Sequence, residues 1–138
     1  MLLSGRGSNF QSILSASQSG ALGGDIALVI SNRPDSGGLD IARDAGIETA
    51  LIDHQAYATR EAFDASLAGA LENQSLDLIV LAGFMRILTP AFVSRFSGRL
   101  INIHPSLLPL YPGLNTHQRA LDAGDTHAGA TVHYVTRE

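Results

Sequence analysis

The sequence predicts an α/β domain with a mostly parallel sheet and helices on both faces. Short apolar runs alternate in order with amphipathic stretches over the 138 residues, the pattern of strand–helix–strand units. The run LDLIVLAG, from Leu76 to Gly83, is almost continuously apolar, as a central parallel strand buried on both faces requires. Glycine or a helix-capping residue punctuates most of the boundaries. The length is that of one domain spanning 1–138, and 45% hydrophobic residues supply its core.

Taken in order, MLL reads as a clipped first strand, and NFQSILSASQSG as a helix opened by Ser8 or Asn9 and closed at Gly20. DIALVIS, Asp25 to Ser31, is a buried strand. A turn at Asn32 to Asp35 leads to a short helix near Leu39 to Ala45, stopped by Gly46. ETALI is a third strand. A helix from Thr59 to Glu72 follows, with Phe63, Leu67, Ala70 and Leu71 on one face. After the central strand, Thr89-Pro90 marks a helix start, an N-cap followed by proline at the first helical position, and Gly98 ends that helix. A strand at Leu100 to His104, a proline-rich loop, a helix at His117 to Ala123 and a strand at Ala130 to Thr136 complete the chain. The order is Rossmann-like. Right-handed crossovers then bring Ser4 to Asn9, Ser31 to Arg33, Gly83 to Arg86 and Asn102 to Pro109 to the carboxyl edge of the sheet.

Composition narrows the classes. The net charge is −4, and the nine basic residues, all arginine, are scattered rather than gathered in a stripe, which argues against nucleic acid. Cysteine is absent, so no disulfide framework exists. No apolar run reaches the roughly 18 residues of a membrane span, and MLLSGRGSN is too quickly polar for a signal peptide. The expected location is cytoplasmic. His117, His127 and His133 have no metal-ligand spacing, and His54 and His127 read as solvent-facing or locally bonded.

Two segments carry chemistry. Gly5-Arg6-Gly7-Ser8-Asn9 follows the first strand and opens the first helix, where glycines allow close approach and free N–H groups favour a phosphate. Phe10 stands where a dinucleotide fingerprint needs its third small residue, and no acidic residue closes the second strand. At the other segment, Asn102 and His104 lie two positions apart at a strand end, so an extended backbone projects them to one face. Pro105 stops the strand there. An amide and an imidazole in that position suit the polarisation of a carbonyl.

SGRGSNFQSIL, SNRPDSGGLDIARDAGI, LAGFMRILTPAFV, GRLINIHPSLLPLYPGLNTHQRAL and GATVHYV, in this order over nearly the whole chain, resemble the folate-dependent formyltransferases. NIHPSLLP is common to that superfamily; the GSN loop and PGLNTH resemble the branch acting on glycinamide ribonucleotide in de novo purine biosynthesis. The resemblance implies the formyltransferase fold and transfer of a formyl group from 10-formyltetrahydrofolate to the glycinamide amine, with the folate as co-substrate and no metal. It implies that Gly7, Ser8 and Asn9 hold the ribose phosphate. Met85, Arg86, Ile87 and Leu88 would line the folate slot, and Arg60 would meet the folate's glutamate carboxylate. Asn102 and His104 match the family's catalytic Asn and His, hydrogen-bond donors to the oxygen on which negative charge develops. The implied partners are these two small molecules, not nucleic acid or membrane.

The resemblance also implies an aspartate paired with the histidine, in a D-G-G loop soon after the strand holding His133. Glu138 precedes that loop, so the domain is expected to be C-terminally incomplete, truncated before the catalytic-Asp loop, and slow in turnover alone. Asn115 stands where many relatives carry histidine and is given no proton-transfer role. Three other readings share parts of the pattern. A formyltetrahydrofolate hydrolase would use the Asn/His pair with water and have little need of the Gly7–Asn9 cradle. A non-catalytic ribonucleotide- or folate-binding module would bind without transfer, and a nicotinamide-dependent oxidoreductase conflicts with Phe10.

Overall fold

The computed structural model describes residues 1–5, 7–21, 23–84, 87–104 and 131–135, with backbone alone at Ser8, His104 and 131–134. These residues form strands β1 (Leu2–Leu3), β2 (Leu28–Ser31), β3 (Glu48–Leu51), β4 (Ile79–Ala82), β5 (Leu100–His104) and β6 (Thr131–Tyr134). The helices are α1 (Ser8–Gln18), α2 (Gly37–Asp44), α3 (Arg60–Glu72) and α4 (Pro90–Arg95). The strands lie side by side in one sheet in the order β3-β2-β1-β4-β5-β6. β1 to β5 are parallel and β6 runs antiparallel to β5, so the expected mostly parallel α/β sheet is present.

Its two faces are filled from adjacent residues of single strands. Leu2, Leu28 and Ile30 join Phe63, Leu67 and Leu71 of α3 and Phe92 and Val93 of α4 in one core cluster. Leu3 and Val29 join Phe10 of α1 and Leu39 and Ala42 of α2 in the other. Alternation along a strand is what divides them, and helices therefore cover both faces. The chain reverses its direction of travel across the sheet between β1 and β4. In open α/β sheets ligands bind at the carboxyl ends of the strands beside such a switch point. The loops after β1 and β4 flank it.

Several boundaries differ from the sequence reading. α1 is capped by Gly7, not by Ser8 or Asn9, because the cap adopts φ 79°, a left-handed conformation that costs L side chains energy. α2 starts at Gly37, ahead of Leu39, with Ser36 at its N-cap. β2 starts at Leu28, three residues after Asp25, and β4 at Ile79, after a half-exposed Leu78. A 3-10 turn at His54–Ala56, capped by the Asp53 carboxylate through the Gln55 N–H at 2.9 Å, was not expected. Thr59 and Thr89 do cap α3 and α4 through their hydroxyls, and Pro90 takes the first turn of α4. The strand expected at Ala130–Thr136 is Thr131–Tyr134. The proline-rich loop and the helix at His117–Ala123 lie outside the described residues. No helix among the described residues is long and apolar enough to cross a membrane.

Candidate active site at the carboxyl edge of the sheet

The loop after β1 is held by contacts that precede any ligand. Gly5 O accepts the Ser36 hydroxyl at 2.9 Å and the Gly38 N–H at 3.3 Å, tying the loop to the start of α2. Gly7 O accepts the Gln11 N–H at 2.7 Å. A Cβ on Gly7 would stand 3.0 Å from Gly38 Cα, and one on Gly38 would stand 2.7 Å from Leu3 Cδ1. Glycine at both positions therefore lets α1, α2 and the loop converge. The first N–H groups of α1 have no acceptor within their own helix, and the positive end of its dipole lies there. An anion is the complementary guest. Ser8 and Asn9 are the first two helical residues, and Asn9 is exposed.

Beside this loop is a polar network that sequence reasoning missed. Asn32, at the end of β2, is only 2% exposed. Its Oδ1 accepts the hydroxyl of buried Ser4 at 2.5 Å. His54 Nδ1 lies 3.2 Å from Asn32 O and 3.4 Å from Asn32 Nδ2. With Nδ1 protonated, the ring donates to the Asn32 carbonyl. His54 is thus bonded across the sheet edge rather than locally, linking the 3-10 turn after β3 to the loops after β2 and β1. Ser31 Oγ adds a bond from Arg33 N–H at 3.1 Å. The only sequence signal was a run of polar residues, Ser31-Asn32-Arg33, ending an apolar strand.

The expected folate-slot residues are seen in part. The segment leaves β4 at Gly83 with φ 71°. Phe84 and Leu88 are partly buried against the α3–α4 core, whereas Ile87 is 75% exposed. Met85 and Arg86 lie outside the described residues. Arg60 is the first residue of α3 and is exposed, with no ion-pair partner among the described residues. A cation at a helix N-terminus opposes the dipole by a few tenths of a kcal/mol to about 1 kcal/mol, so helix stability does not explain an arginine there.

Asn102 lies in β5, half-buried, in register with Leu81 of β4 and His133 of β6. His104 is the last residue of that strand. The loop from Pro105 onward, Asn115, His117 and His127 lie outside the described residues. β5 adjoins β4, so the end of β5 lies beside the end of β4, from which the residues expected to line the slot follow. Phe10, the residue that breaks the dinucleotide fingerprint, is 0% exposed in the α1–α2 core cluster.

Comparison with known proteins bears on the family and the fold. The sequence profile of the formyl transferase family matches residues 1–138. A phosphoribosylglycinamide formyltransferase of Escherichia coli K12 is 51% identical over 138 residues, all of this chain and 65% of that protein. The trifunctional purine biosynthetic protein adenosine-3 of Drosophila melanogaster is 50% identical over 137 residues, 98% of this chain and 10% of the larger protein. The solved phosphoribosylglycinamide formyltransferase of Coxiella burnetii superposes with a TM-score of 0.93 at 54% identity, over 98% of this chain and 64% of that one. The chain thus spans a little under two thirds of these single-function relatives. Since the family profile covers the chain from end to end and the fold superposes this closely, the chain belongs to the formyl transferase family.

Proposed function

We propose that the chain forms the ligand-binding and oxyanion-stabilising part of a phosphoribosylglycinamide formyltransferase, acting in the cytoplasm in purine biosynthesis. The reaction moves a formyl group from 10-formyltetrahydrofolate to the amine of glycinamide ribonucleotide. The observation that carries this reading is the adjacency of the ends of β1, β4 and β5 at one switch point. A glycine-built helix start follows β1, the partly buried Phe84 and Leu88 follow its neighbour β4, and the adjoining β5 carries Asn102 and ends at His104.

In this reading Gly7, Ser8 and Asn9 receive the ribose phosphate at the N-terminus of α1. Met85, Arg86, Ile87 and Leu88 line the folate slot, and Arg60 meets the glutamate carboxylate, the interaction that rationalises a cation at the start of α3. The amine nitrogen attacks the formyl carbon, a C–N bond forms, and the carbonyl electrons move onto oxygen. The Asn102 amide N–H and an N–H of the His104 ring donate to that oxygen; one such donor is typically worth roughly 3–4 kcal/mol of barrier. Collapse breaks the bond from carbon to the folate nitrogen, which gains a proton while the new amide nitrogen loses one. The family aspartate, expected beyond the strand of His133, would organise that proton movement.

The test is a pair of calorimetric titrations of the chain, one with glycinamide ribonucleotide and one with 10-formyltetrahydrofolate. Saturable binding of both, with ribonucleotide affinity lost when Gly7 is replaced by valine, supports the reading. Binding of NADPH, with neither of these ligands bound, overturns it.

A further inference from the structure

We propose that Asp64 is a positioning residue for the formyl-donor slot, its buried carboxylate fixing the point where the β4–α4 loop ends. This rests on the folate reading above. Asp64 lies on α3 one helical turn after Arg60 and is 4% exposed. Its Oδ2 accepts the Thr89 N–H at 2.7 Å. Thr89 is itself the N-cap of α4, its hydroxyl accepting from Phe92 N–H at 3.3 Å. The N–H of an N-cap residue has no acceptor in its own helix. Asp64 supplies that acceptor, so a single carboxylate ties α3, which begins with Arg60, to the last residue of the loop.

Packing covers only part of that end of the loop. Phe84 and Leu88 rest on the core, but a cavity of about 280 Å³ opens at the α3–α4 seam, lined in part by Asp64, Ala65, Thr89, Pro90 and Arg95. Packing on that side of Thr89 is thus incomplete, and the Asp64 bond supplies a fixed point beside the cavity. Stability does not explain the choice of residue either. Asp64 Oδ1 is buried without a hydrogen-bond partner among the described residues. Burying a carboxylate with an unused oxygen is costly, and an asparagine would accept from Thr89 without desolvating a charge. A charged acceptor makes the stronger bond. That strength matters where the bond sets the separation between the slot residues before Thr89 and the arginine at the head of α3.

The experiment measures binding of 10-formyltetrahydrofolate and of glycinamide ribonucleotide by the unsubstituted chain, Asp64→Ala and Asp64→Asn. Asp64→Ala is expected to weaken folate binding about tenfold, and Asp64→Asn about threefold, as a net hydrogen bond of this kind implies. Ribonucleotide affinity stays within about twofold, because a bond on the other face of the sheet holds its loop. Amide exchange at Thr89 accelerates in the same order. Unchanged folate affinity in Asp64→Ala, or equal losses for both ligands, overturns the proposal. If Asp64→Ala does not fold, the ratio of the two losses in Asp64→Asn decides by the same criterion. An unsubstituted chain that binds no folate overturns the folate reading and this inference together, whereas normal binding with no selective loss overturns this inference alone.

Discussion

Asn32 places a carboxamide where water does not reach, and its bonds run to two other loops. Ser4 donates to its Oδ1, and the His54 ring lies against its carbonyl and its amide. Truncation to alanine leaves the buried Ser4 hydroxyl without that acceptor and removes a well-packed side chain. A buried hydrogen bond contributes about 0.5–1.5 kcal/mol net, so Asn32→Ala is expected to lower stability by at least about 1 kcal/mol in urea denaturation. Because Ser4 begins the loop that precedes Gly7, ribonucleotide affinity is expected to fall with it; an unchanged midpoint would contradict this account. A second residue-scale effect belongs to the α-amino group of Met1, which donates to Leu28 O at 3.0 Å. Burial lowers its pKa from 8.0 to about 6, since desolvation disfavours the charged form. The unfolded chain then binds more protons than the folded one between pH 6 and 8. Stability is full above pH 8 and declines as the pH falls to 6, by up to about 2–3 kcal/mol in a chain beginning at Met1. Urea midpoints across that range test it, and adding a residue before Met1, which removes the charge from this position, is expected to flatten the dependence.

At the scale of the elements, the start of α2 decides how the β1 loop is held. Gly38 packs against Leu3, which is 0% exposed between the sheet and α1, and its N–H reaches Gly5 O. A methyl group there would lie 2.7 Å from Leu3 Cδ1. Overpacking of this kind costs about 1–3 kcal/mol, more than the helix-propensity gain of up to about 1 kcal/mol that alanine brings. Gly38→Ala is therefore expected to destabilise the chain and weaken ribonucleotide binding, whereas Gly69→Ala, at an exposed α3 position with open space around it, is expected to stabilise it slightly. Thermal melts that ranked the two the other way would refute the packing argument. The same elements explain what was legible in the sequence. Thr89-Pro90 marked α4 because cap and proline act locally, and Phe63, Leu67 and Leu71 marked the buried face of α3 because helical periodicity is local too. Gly7 as the cap of α1 was not legible, because what selects glycine there includes Gly38, distant in sequence. The bonds of Asn32, His54 and Asp64 were not legible for the same reason: each runs to a partner 22 to 28 residues away, a contact that exists only once the sheet has formed. Asn102, by contrast, stood out from its apolar strand.

For the molecule as a whole, the proposed function assigns binding and proton transfer to different parts of the chain. The loops after β1 and β4 are tied to the core on opposite faces of the sheet, one through α2 and the other through α3. The ties that hold them, from Ser36 and Gly38 to Gly5 and from Thr89 to Asp64, lie within the described residues, and each loop is expected to bind its own ligand. Transfer asks for more. After the amine attacks, the nitrogen has to lose a proton, and a positioned acid–base group typically contributes about 10²–10⁴-fold to such a step. In the proposed mechanism the family aspartate expected to organise it follows the strand of His133, whereas Asn102 and His104 would supply donors to the oxyanion. A polypeptide of these 138 residues is therefore expected to bind glycinamide ribonucleotide and 10-formyltetrahydrofolate, yet turn them over at least about 10²-fold more slowly than a full-length relative such as the Escherichia coli protein. Asn102→Ala is expected to lower what rate remains by about a further 10²-fold with little change in ribonucleotide affinity, because its donor acts on charge that appears only in the transition state. Single-turnover measurements at saturating folate separate these effects from binding. Turnover within about tenfold of the full-length relative would mean that a group already present among these residues carries the proton, and that His104 with its neighbours suffices for the transfer.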